Sequence, residues 1–356
     1  MLTLSRSNRS TRSPRRLAVT VALAVTALLA SACGSSASGA SSTTGGSSDK
    51  GTINLVAYST PASAYAKLIA AFNKTAAGKD ITINTSFGAS GQQARSVIAG
   101  LPADVVNFSL APDMQKLVTA GLISPNWDTV GPADGIVTDS VVVFVVRKGN
   151  PMHLDSWADL VKPGVKVVTP NPFSSGSARW NLMAAYGAEL KLGASRAAAD
   201  AYLSKLLNNT VAQPSSASDA MSAFTEGTGD VLLDYEDDAI AAQRKGEPIS
   251  YVVPPQTILI QNPIAVVKTS KDPKAAQAFL DYLLSKPAQE IWAKEGYRPV
   301  LAGAASAVGV TFPTPPQLFT IDSIRGWTAD TKTFFDTSTG IVTKIEESLG
   351  VSTSSS

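Results

Sequence analysis

The chain of 356 residues has little of the side-chain chemistry on which most enzymes depend, with one cysteine and one histidine. The histidine, His153, follows Pro151 and Met152 in a segment typical of a surface turn, which favours a solvated side chain over a catalytic one. No H-E-x-x-H, C-x-x-C or Gly-rich loop ending in Gly-Lys-Ser is present. We therefore predict a protein that is not an enzyme and that needs no metal and no cofactor.

The amino terminus has the composition of an export signal. Five arginines come before an apolar run at residues 17–30, and small residues follow the run: Arg6, Arg9, Arg12, Arg15 and Arg16, then Ser31 and Ala32. The run has 14 residues, fewer than the ~20 that a helix needs to span a bilayer. We therefore predict a cleaved signal peptide at residues 1–32. The pair Arg15 and Arg16 leaves the twin-arginine export route open beside the general one.

The one cysteine stands directly after this segment. Cys33 lies where a lipoprotein signal places its modified cysteine, and an exported protein gains little from a single unpaired thiol. Residues 33–50 are mostly Gly, Ser, Ala and Thr, a composition typical of a flexible tether. The sequence therefore predicts that Cys33 is lipidated and anchors a folded body at the extracytoplasmic face of the cell membrane.

The charge balance of the chain changes once the signal peptide is removed. The full chain has 30 Lys and Arg against 28 Asp and Glu. Residues 1–32 hold five arginines and no acid, so the mature chain has 25 basic and 28 acidic residues and a net charge of −3. The sequence thus predicts no nucleic-acid partner, and any bound anion must be held by a few local groups.

The body of the chain alternates short apolar runs with helical patterns. The pattern predicts, in this order, a strand at 52–57, a helix to about 76, a strand at 81–83, a helix, a strand at 104–106, a strand at 165–169, a helix from about 176 and a helix at 274–284. Such alternation is typical of an α/β fold.

Two longer apolar runs, at 141–146 and 258–267, suit crossings between two lobes, and the second run contains Asn262 and Pro263. The body is long for one core. The predicted lobe 1 consists of 51–140 and 263–356, the latter including C-terminal helices, and lobe 2 consists of 141–262.

Four predicted helix starts carry small polar residues. They are residues 59–61 (Ser-Thr-Pro), Ser90 with Gln93 as a capping box, residues 175–177 (Ser-Gly-Ser), and residues 216–219 (Ser-Ala-Ser-Asp). The free N–H groups and positive dipole end of a helix form an anion site, and small side chains leave that site open. A serine at one helix start is ordinarily a structural cap, so a ligand site requires that these starts converge. Arg179, one turn after the third start, is predicted to support the site without touching the anion.

The acidic segment at residues 234–238 offers a different chemistry. Its carboxylates could flank a sugar or bind a cation, and Asp234 or Glu236 could serve a lipid-anchored hydrolase. No nucleophile and base accompany them in the sequence. We favour a solvated charge cluster beside one aromatic residue, Tyr235, and hence a binding protein over a hydrolase.

Several segments resemble the bacterial sulfate-binding proteins. They are VVRKGNP at 145–151, WADL at 157–160, KPGV at 162–165, TPNP at 169–172, SSGSARWN at 174–181, GDVL at 229–232 and YRP at 297–299. The likeness covers roughly residues 51–349 and is most specific at 147–181. With its lipoprotein leader, the chain is similar to actinobacterial sulfate-binding lipoproteins of sulfate ABC importers.

The resemblance implies a type II periplasmic-binding-protein fold, in which two α/β lobes joined by crossover segments close over a dehydrated sulfate in the cleft. The implied sulfate-binding positions are Ser59, Ser90, Ser175, Gly176, Ser177, Ala217 and Tyr235. Three of them depart from the family pattern, because Ser59 replaces an Asp, Ser177 replaces a Gly, and Tyr235 replaces a Trp whose indole N–H donates to sulfate.

The resemblance also implies a monomer that passes sulfate, or thiosulfate, to the permease and ATPase subunits of an ABC importer. Molybdate and phosphate stay open as alternative ligands. Sulfate carries no proton near neutral pH, whereas a buried phosphate proton needs an acceptor. Because no carboxylate is among the implied contacts, the sequence favours sulfate and predicts an affinity that is nearly flat between about pH 5.5 and 8.

Overall fold

The computed structural model describes residues 51–354 of the chain. The predicted signal peptide at 1–32, the lipidated Cys33 and the tether at 33–50 lie outside the described residues. Within 51–354, no helix combines the length and apolar character needed to cross a membrane.

Most strands of the described body are short, and two are long. The strands are β1 (Thr52–Tyr58), β2 (Thr82–Gly88), β3 (Val105–Asn107), β4 (Ile136–Arg147), β5 (Val167–Val168), β6 (Thr210–Ala212), β7 (Val231–Tyr235), β8 (Ile249–Val252), β9 (Gln256–Val266), β10 (Arg298–Pro299) and β11 (Gln317–Phe319). The long strands, β4 and β9, have 12 and 11 residues.

The helices alternate with these strands, as the sequence pattern predicts. They are α1 (Ala62–Phe72), α2 (Ser90–Ile98), α3 (Ala111–Thr119), α4 (Trp157–Leu160), α5 (Gly176–Lys191), α6 (Arg196–Asn208), α7 (Ala217–Thr225), α8 (Glu236–Arg244), α9 (Pro273–Leu283), α10 (Lys286–Lys294), α11 (Ala304–Ala307), α12 (Trp327–Phe335) and α13 (Ile341–Ser348). Short 3₁₀ turns lie at Trp127–Thr129 and Ile321–Ser323.

The long strands connect two groups of parallel strands. The strand order is β2-β1-β3-β9-β4-β7-β5-β6, with β8 and β10 also paired to β4 and β11 to β9. β1 is parallel to β2 and β3, and β5 is parallel to β6 and β7, whereas β4 and β9 run antiparallel to each other. The two long apolar runs are therefore crossings between two α/β lobes, as expected. The exact lobe boundaries stay a prediction.

The second long strand contains Asn262 and Pro263, the two residues that interrupt its apolar run in the sequence. β9 continues through both residues, and its register to β4 shifts at this point, between Ile136 and Thr138. Proline has no amide hydrogen to donate to a neighbouring strand, and an irregular register accommodates it there. The Pro263 carbonyl is still used, because it accepts hydrogen bonds from the Phe108 amide at 3.1 Å and from Asn107 Nδ2 at 2.8 Å.

Both faces of the sheet are covered by helices. Along β4, Val142 and Phe144 pack in the core beside α5 and α6, whereas Val143 and Val145 pack in the core beside α7 and α8. Successive strand side chains point to opposite faces, so a strand covered on both sides is apolar throughout. In this arrangement the loops after the parallel strands meet at the carboxyl ends of the strands, where α/β proteins bind ligands.

Candidate anion-binding site

Helix starts from both lobes meet at one small cavity of about 10 Å³. The loops after β1, β2, β5 and β6 lead into α1, α2, α5 and α7 around it. The residues that line the cavity are Tyr58, Ser59, Ala89, Ser90, Ser109, Ser175, Ser177 and Ala217. Five of the seven implied site residues thus lie together, and the convergence that a ligand site requires is present.

Three helices point their amino-terminal ends at this cavity. α2 begins at Ser90, α5 at Gly176 and α7 at Ala217. The first amides of a helix have no acceptor within the helix, and the positive ends of the helix dipoles favour an anion. Helix geometry therefore leaves the amides of Ser90, Gly176, Ser177 and Ala217 for a ligand.

Two amides near the cavity already have protein acceptors. The Ser175 amide donates to the Asn171 carbonyl at 2.9 Å, and the Ser218 amide lies 3.5 Å from Ser59 Oγ. Ser175 and Ser59 would therefore reach an anion through their hydroxyl groups. The Ser175 hydroxyl lies 2.8 Å from the Ser177 hydroxyl, so this pair of oxygens shares a hydrogen bond at the start of α5.

The predicted capping box of α2 is not formed. Ala89, not Ser90, is the N-cap residue, and Ser90 is the first residue of the helix. The Gln93 side chain donates instead to Ser86 Oγ at 3.1 Å. Ser86 lies on β2, and its hydroxyl group binds the Gln93 side chain that the sequence pattern assigns to the capping box.

The Ser90 hydroxyl joins the cavity to a charged pair. Ser90 Oγ donates to Asp113 Oδ2 at 2.6 Å and accepts from the Ser109 amide at 3.1 Å. Asp113 Oδ1 in turn accepts from Lys116 Nζ at 2.8 Å. The Asp113 carboxylate, which contacts one of the implied anion residues, is thus hydrogen-bonded and charge-paired, while the residues that line the cavity are uncharged.

Gly176 lies at a point where no side chain fits. A Cβ on this residue would lie 1.9 Å from Ser109 Oγ and 2.0 Å from Leu110 Cδ2. Both distances are far below van der Waals contact. α5 of lobe 2 can therefore approach the loop after β3 in lobe 1 only because residue 176 is glycine.

Tyr235 stands beside the cavity and not among its lining residues. It ends β7, is fully buried, and its ring centroid lies 6.4 Å from that of Tyr58. Among residues 51–354, no atom forms a hydrogen bond with its hydroxyl group. Burial raises the pKa of Tyr235 well above its ordinary value, which keeps the hydroxyl protonated and able to donate.

Arg179 is placed away from the cavity lining. Its Nε atom donates to the Pro172 carbonyl at 2.8 Å, and its guanidinium group lies 4.8 Å from the centre of the Phe335 ring. These contacts fix the loop that precedes α5. His153 is likewise remote from the site, exposed in its turn with a φ angle of 51°.

The acidic segment is not the solvated cluster that the sequence favours, and this expectation is wrong. Asp234, Glu236 and Asp237 are buried. Glu236 pairs with Arg298 Nε at 2.7 Å, and Asp237 accepts from Ser140 Oγ at 2.5 Å. The segment ends β7 and opens α8, where helix amides favour negative charge, and β10 brings Arg298 to it.

Burial also changes the acidity of this segment. It raises the pKa of Asp237 to about 8 and that of Asp139 on β4 to about 7, the latter against the opposing effect of Arg298. No group of three or more acidic, histidine or cysteine side chains within 51–354 has an arrangement that could hold a metal ion.

Sequence reasoning missed Ala89, the N-cap residue of α2, and two hydroxyl-bearing cavity residues, Tyr58 and Ser109. Tyr58 ends β1 and Ser109 follows β3, at the same edge of the sheet as the implied site residues. The signal in the sequence was that each of these two residues lies at the end of an apolar run. Neither lies at a helix start, the feature by which the site was predicted. Only the fold brings them to the cavity.

Comparison with known proteins places the chain in a family. Residues 53–298 match the bacterial extracellular solute-binding proteins. The sulfate-binding protein of Synechococcus elongatus is 39% identical over 291 residues, which are 80% of this chain and 83% of that protein. The chain belongs to the sulfate-binding protein family. The thiosulfate-binding protein of Pseudomonas aeruginosa is 35% identical over 292 residues, which are 79% of this chain and 88% of that protein.

A solved member of the sulfate-binding protein family has the same fold. The sulfate-binding protein SubI from Mycobacterium tuberculosis H37Rv superposes with a TM-score of 0.77 at 43% identity, covering 80% of this chain and 100% of that chain. More distant periplasmic binding proteins share the fold alone. The expected two-lobe type II periplasmic-binding-protein fold is confirmed.

Proposed function

We propose that this family member is the extracytoplasmic sulfate receptor of an ABC importer. The observation that carries the proposal is the cavity lined by hydroxyl groups and helix amides, without a charged side chain in its wall. Such a lining replaces the water around a dianion with fixed dipoles. The names of the relatives, sulfate- and thiosulfate-binding proteins, support the same ligand class.

In this proposal sulfate is held without covalent chemistry. The amides of Ser90, Gly176, Ser177 and Ala217 donate to it from three helix starts, and the hydroxyls of Ser59, Ser175 and Tyr235 complete the implied set. Closure of the two lobes excludes solvent and forms the surface that the permease recognises. Arg179 supports the α5 loop and does not touch the anion.

A hydrolase that uses Asp234 or Glu236 is disfavoured by the contacts of these residues. Glu236 is engaged with Arg298, and Asp234 Oδ1 accepts from the Tyr235 amide at 2.9 Å. Both residues are buried. We therefore infer a receptor that is not an enzyme.

Phosphate should bind at least ~10-fold more weakly than sulfate. A buried phosphate proton requires an acceptor, and an unmet hydrogen bond costs on the order of 1–3 kcal/mol. The closest candidate acceptor, Asp113, is already bonded to Ser90 and Lys116. Calorimetry of the mature protein with sulfate, thiosulfate, molybdate and phosphate measures the order of the four affinities directly. Equal affinities for sulfate and phosphate would refute the assigned ligand.

We further propose that Cys33 carries a lipid that holds the receptor at the membrane. The Cys33→Ala variant should lose fatty-acid labelling and appear in the soluble fraction, because the residue is the only thiol of the chain. A matched control, Ser41→Ala in the tether, should keep both properties. Labelling and membrane partition of Cys33→Ala equal to those of the wild type would rule out the anchor.

A further inference from the structure

Within residues 51–354, two hydroxyl groups in the cavity wall form no hydrogen bond of normal geometry with the protein. The exposed fractions of Tyr58 and Ser109 are 3% and 1%, and both residues line the cavity. Within the described residues, neither side-chain oxygen has a partner at hydrogen-bond geometry, although Ser109 lies close enough to Tyr235, and Thr60 close enough to Tyr58, to oppose the rise in the pKa of each tyrosine. A buried hydroxyl without a partner is energetically unfavourable, so such groups are rare and indicate an additional partner.

The backbone of Ser109 is held in place from three directions. Its amide donates to Ser90 Oγ at 3.1 Å, and its carbonyl accepts from Trp180 Nε1 at 2.7 Å and from Asn262 Nδ2 at 3.2 Å. The backbone groups are therefore satisfied, and only the side-chain hydroxyl remains. This fixed backbone keeps the Ser109 side chain in the cavity wall.

The Ser109 hydroxyl lies beside the first amide of α5. A Cβ on Gly176 would lie only 1.9 Å from Ser109 Oγ, which places this oxygen against the helix start that carries two of the proposed anion donors. An anion that binds the amides of Gly176 and Ser177 is therefore within reach of the same hydroxyl.

A hydroxyl from lobe 1 is needed at this corner of the cavity. A serine hydroxyl has one hydrogen, and Ser90 gives its hydrogen to Asp113. Ser90 can then contribute its amide but not its hydroxyl hydrogen. Ser109, whose amide is bonded to that same Ser90 oxygen, supplies a free hydrogen at the neighbouring position.

Tyr58 offers the second free hydrogen. The residue ends β1 next to Ser59, and its ring lies 6.4 Å from the Tyr235 ring. Burial raises the pKa of Tyr58 well above its ordinary value, with smaller contributions from Asp237 and Tyr235. Its hydroxyl therefore stays protonated and can donate.

We infer that Ser109 and Tyr58 donate their hydroxyl hydrogens directly to the bound oxyanion. They are two binding residues beyond the set implied by family resemblance, and both come from lobe 1. The inference rests on the proposed function, because it assigns further contacts within the same site. It also predicts that the hydroxyls matter for binding and not for folding.

Removal of each hydroxyl tests the inference. Ser109→Ala and Tyr58→Phe should each weaken sulfate binding about 10-fold, since a hydrogen bond to a charged group contributes about 1.5 kcal/mol or more. The double variant should lose more affinity than either single variant, without the two losses having to add, because both hydroxyls contact the same anion. Without sulfate, both single variants should melt at the wild-type temperature or above, because each substitution removes an unsatisfied buried group.

Matched controls remove hydroxyls that have protein partners away from the cavity. Tyr202 donates to the Trp157 carbonyl at 2.6 Å, and Ser204 donates to the Asp200 carbonyl at 3.3 Å. Tyr202→Phe should lower the melting temperature, and neither Tyr202→Phe nor Ser204→Ala should change the sulfate affinity.

The outcomes separate this inference from the proposed function. A wild-type protein that binds no sulfate would overturn the proposed function and, with it, these contacts. A wild-type protein that binds sulfate, together with unchanged affinity in Ser109→Ala and Tyr58→Phe, would overturn the inference alone. Reduced affinity accompanied by an equal loss of stability in the sulfate-free variants would assign the hydroxyls a structural role, and would also overturn it.

Discussion

A single methyl group at Gly176 should reduce the sulfate affinity of the protein about 100-fold or more. The Cβ of Gly176→Ala would lie 1.9 Å from Ser109 Oγ and 2.0 Å from Leu110 Cδ2. Overpacking of this kind costs about 1–3 kcal/mol and more when the backbone must move. Because Ser109 and Leu110 belong to lobe 1 and Gly176 to lobe 2, the clash acts against closure of the cleft. Titration calorimetry with sulfate measures the loss.

Comparison of Gly176→Asp with Gly176→Ala separates charge repulsion from steric exclusion. A carboxylate beside a bound dianion is also unfavourable, so the sequence alone favours repulsion as the cause of lost binding. The structure adds that any side chain at this position meets the opposite lobe. We therefore expect Gly176→Ala to lose most of the affinity that Gly176→Asp loses.

The sulfate-free Gly176→Ala protein provides the control. Its circular dichroism spectrum and melting temperature should stay close to those of the wild type, since each lobe can fold while the cleft remains open. Wild-type sulfate affinity in the folded Gly176→Ala protein would show that α5 does not approach Ser109 in the bound state, and would contradict this account of the site.

The helix starts of the site could be predicted from sequence because their signals are local. Ser175 precedes α5 and Ser216 precedes α7 as N-cap residues, each within a few residues of its own helix. Their convergence is not local. It depends on β4 and β9, which carry the chain between the lobes, and the family resemblance supplied that information.

The wrong predictions have a common physical cause. Residues distant in sequence form contacts with side chains whose partners were predicted from the local pattern. Arg298 converts a segment that looks solvated into a buried one, although 62 positions separate it from Glu236. Ser86 on β2 takes the Gln93 side chain from the expected cap. Ser109 and Tyr58 were missed because an unsatisfied hydroxyl is recognised only when all its neighbours are known.

The ligand-free protein should lose stability as the pH rises from 5.5 to 8, and Asp237→Asn should remove a large part of that loss. Burial raises the pKa of the folded Asp237 carboxyl to about 8, while Asp238 raises it further and Ser140 opposes the shift. Unfolded aspartate titrates near pH ~4. Between these two values the unfolded state releases a proton that the folded state retains, so unfolding becomes more favourable with rising pH.

The size of the effect follows from the pH interval. One pH unit in this range corresponds to about 1.4 kcal/mol, so the variant should gain on the order of 3 kcal/mol relative to the wild type between pH 5.5 and 8. Urea unfolding at both pH values measures the difference. Asp128→Asn at the exposed turn after α3 is the matched control and should show no such gain.

The same carboxyl should limit the sulfate affinity at high pH. Asp237 is close enough to Tyr58 and Tyr235 to raise the pKa of both hydroxyls, and its ionisation places a negative charge behind two proposed donors. Sulfate affinity should therefore be nearly flat to about pH 7 and fall as the pH rises through 8, because the charge repels the dianion. Asp237→Asn should bind sulfate equally well across this range, since its amide cannot ionise. Two results would show that another group titrates in the folded protein. One is a stability difference between Asp237→Asn and the wild type that does not change with pH. The other is a fall in sulfate affinity above pH 8 that persists in Asp237→Asn.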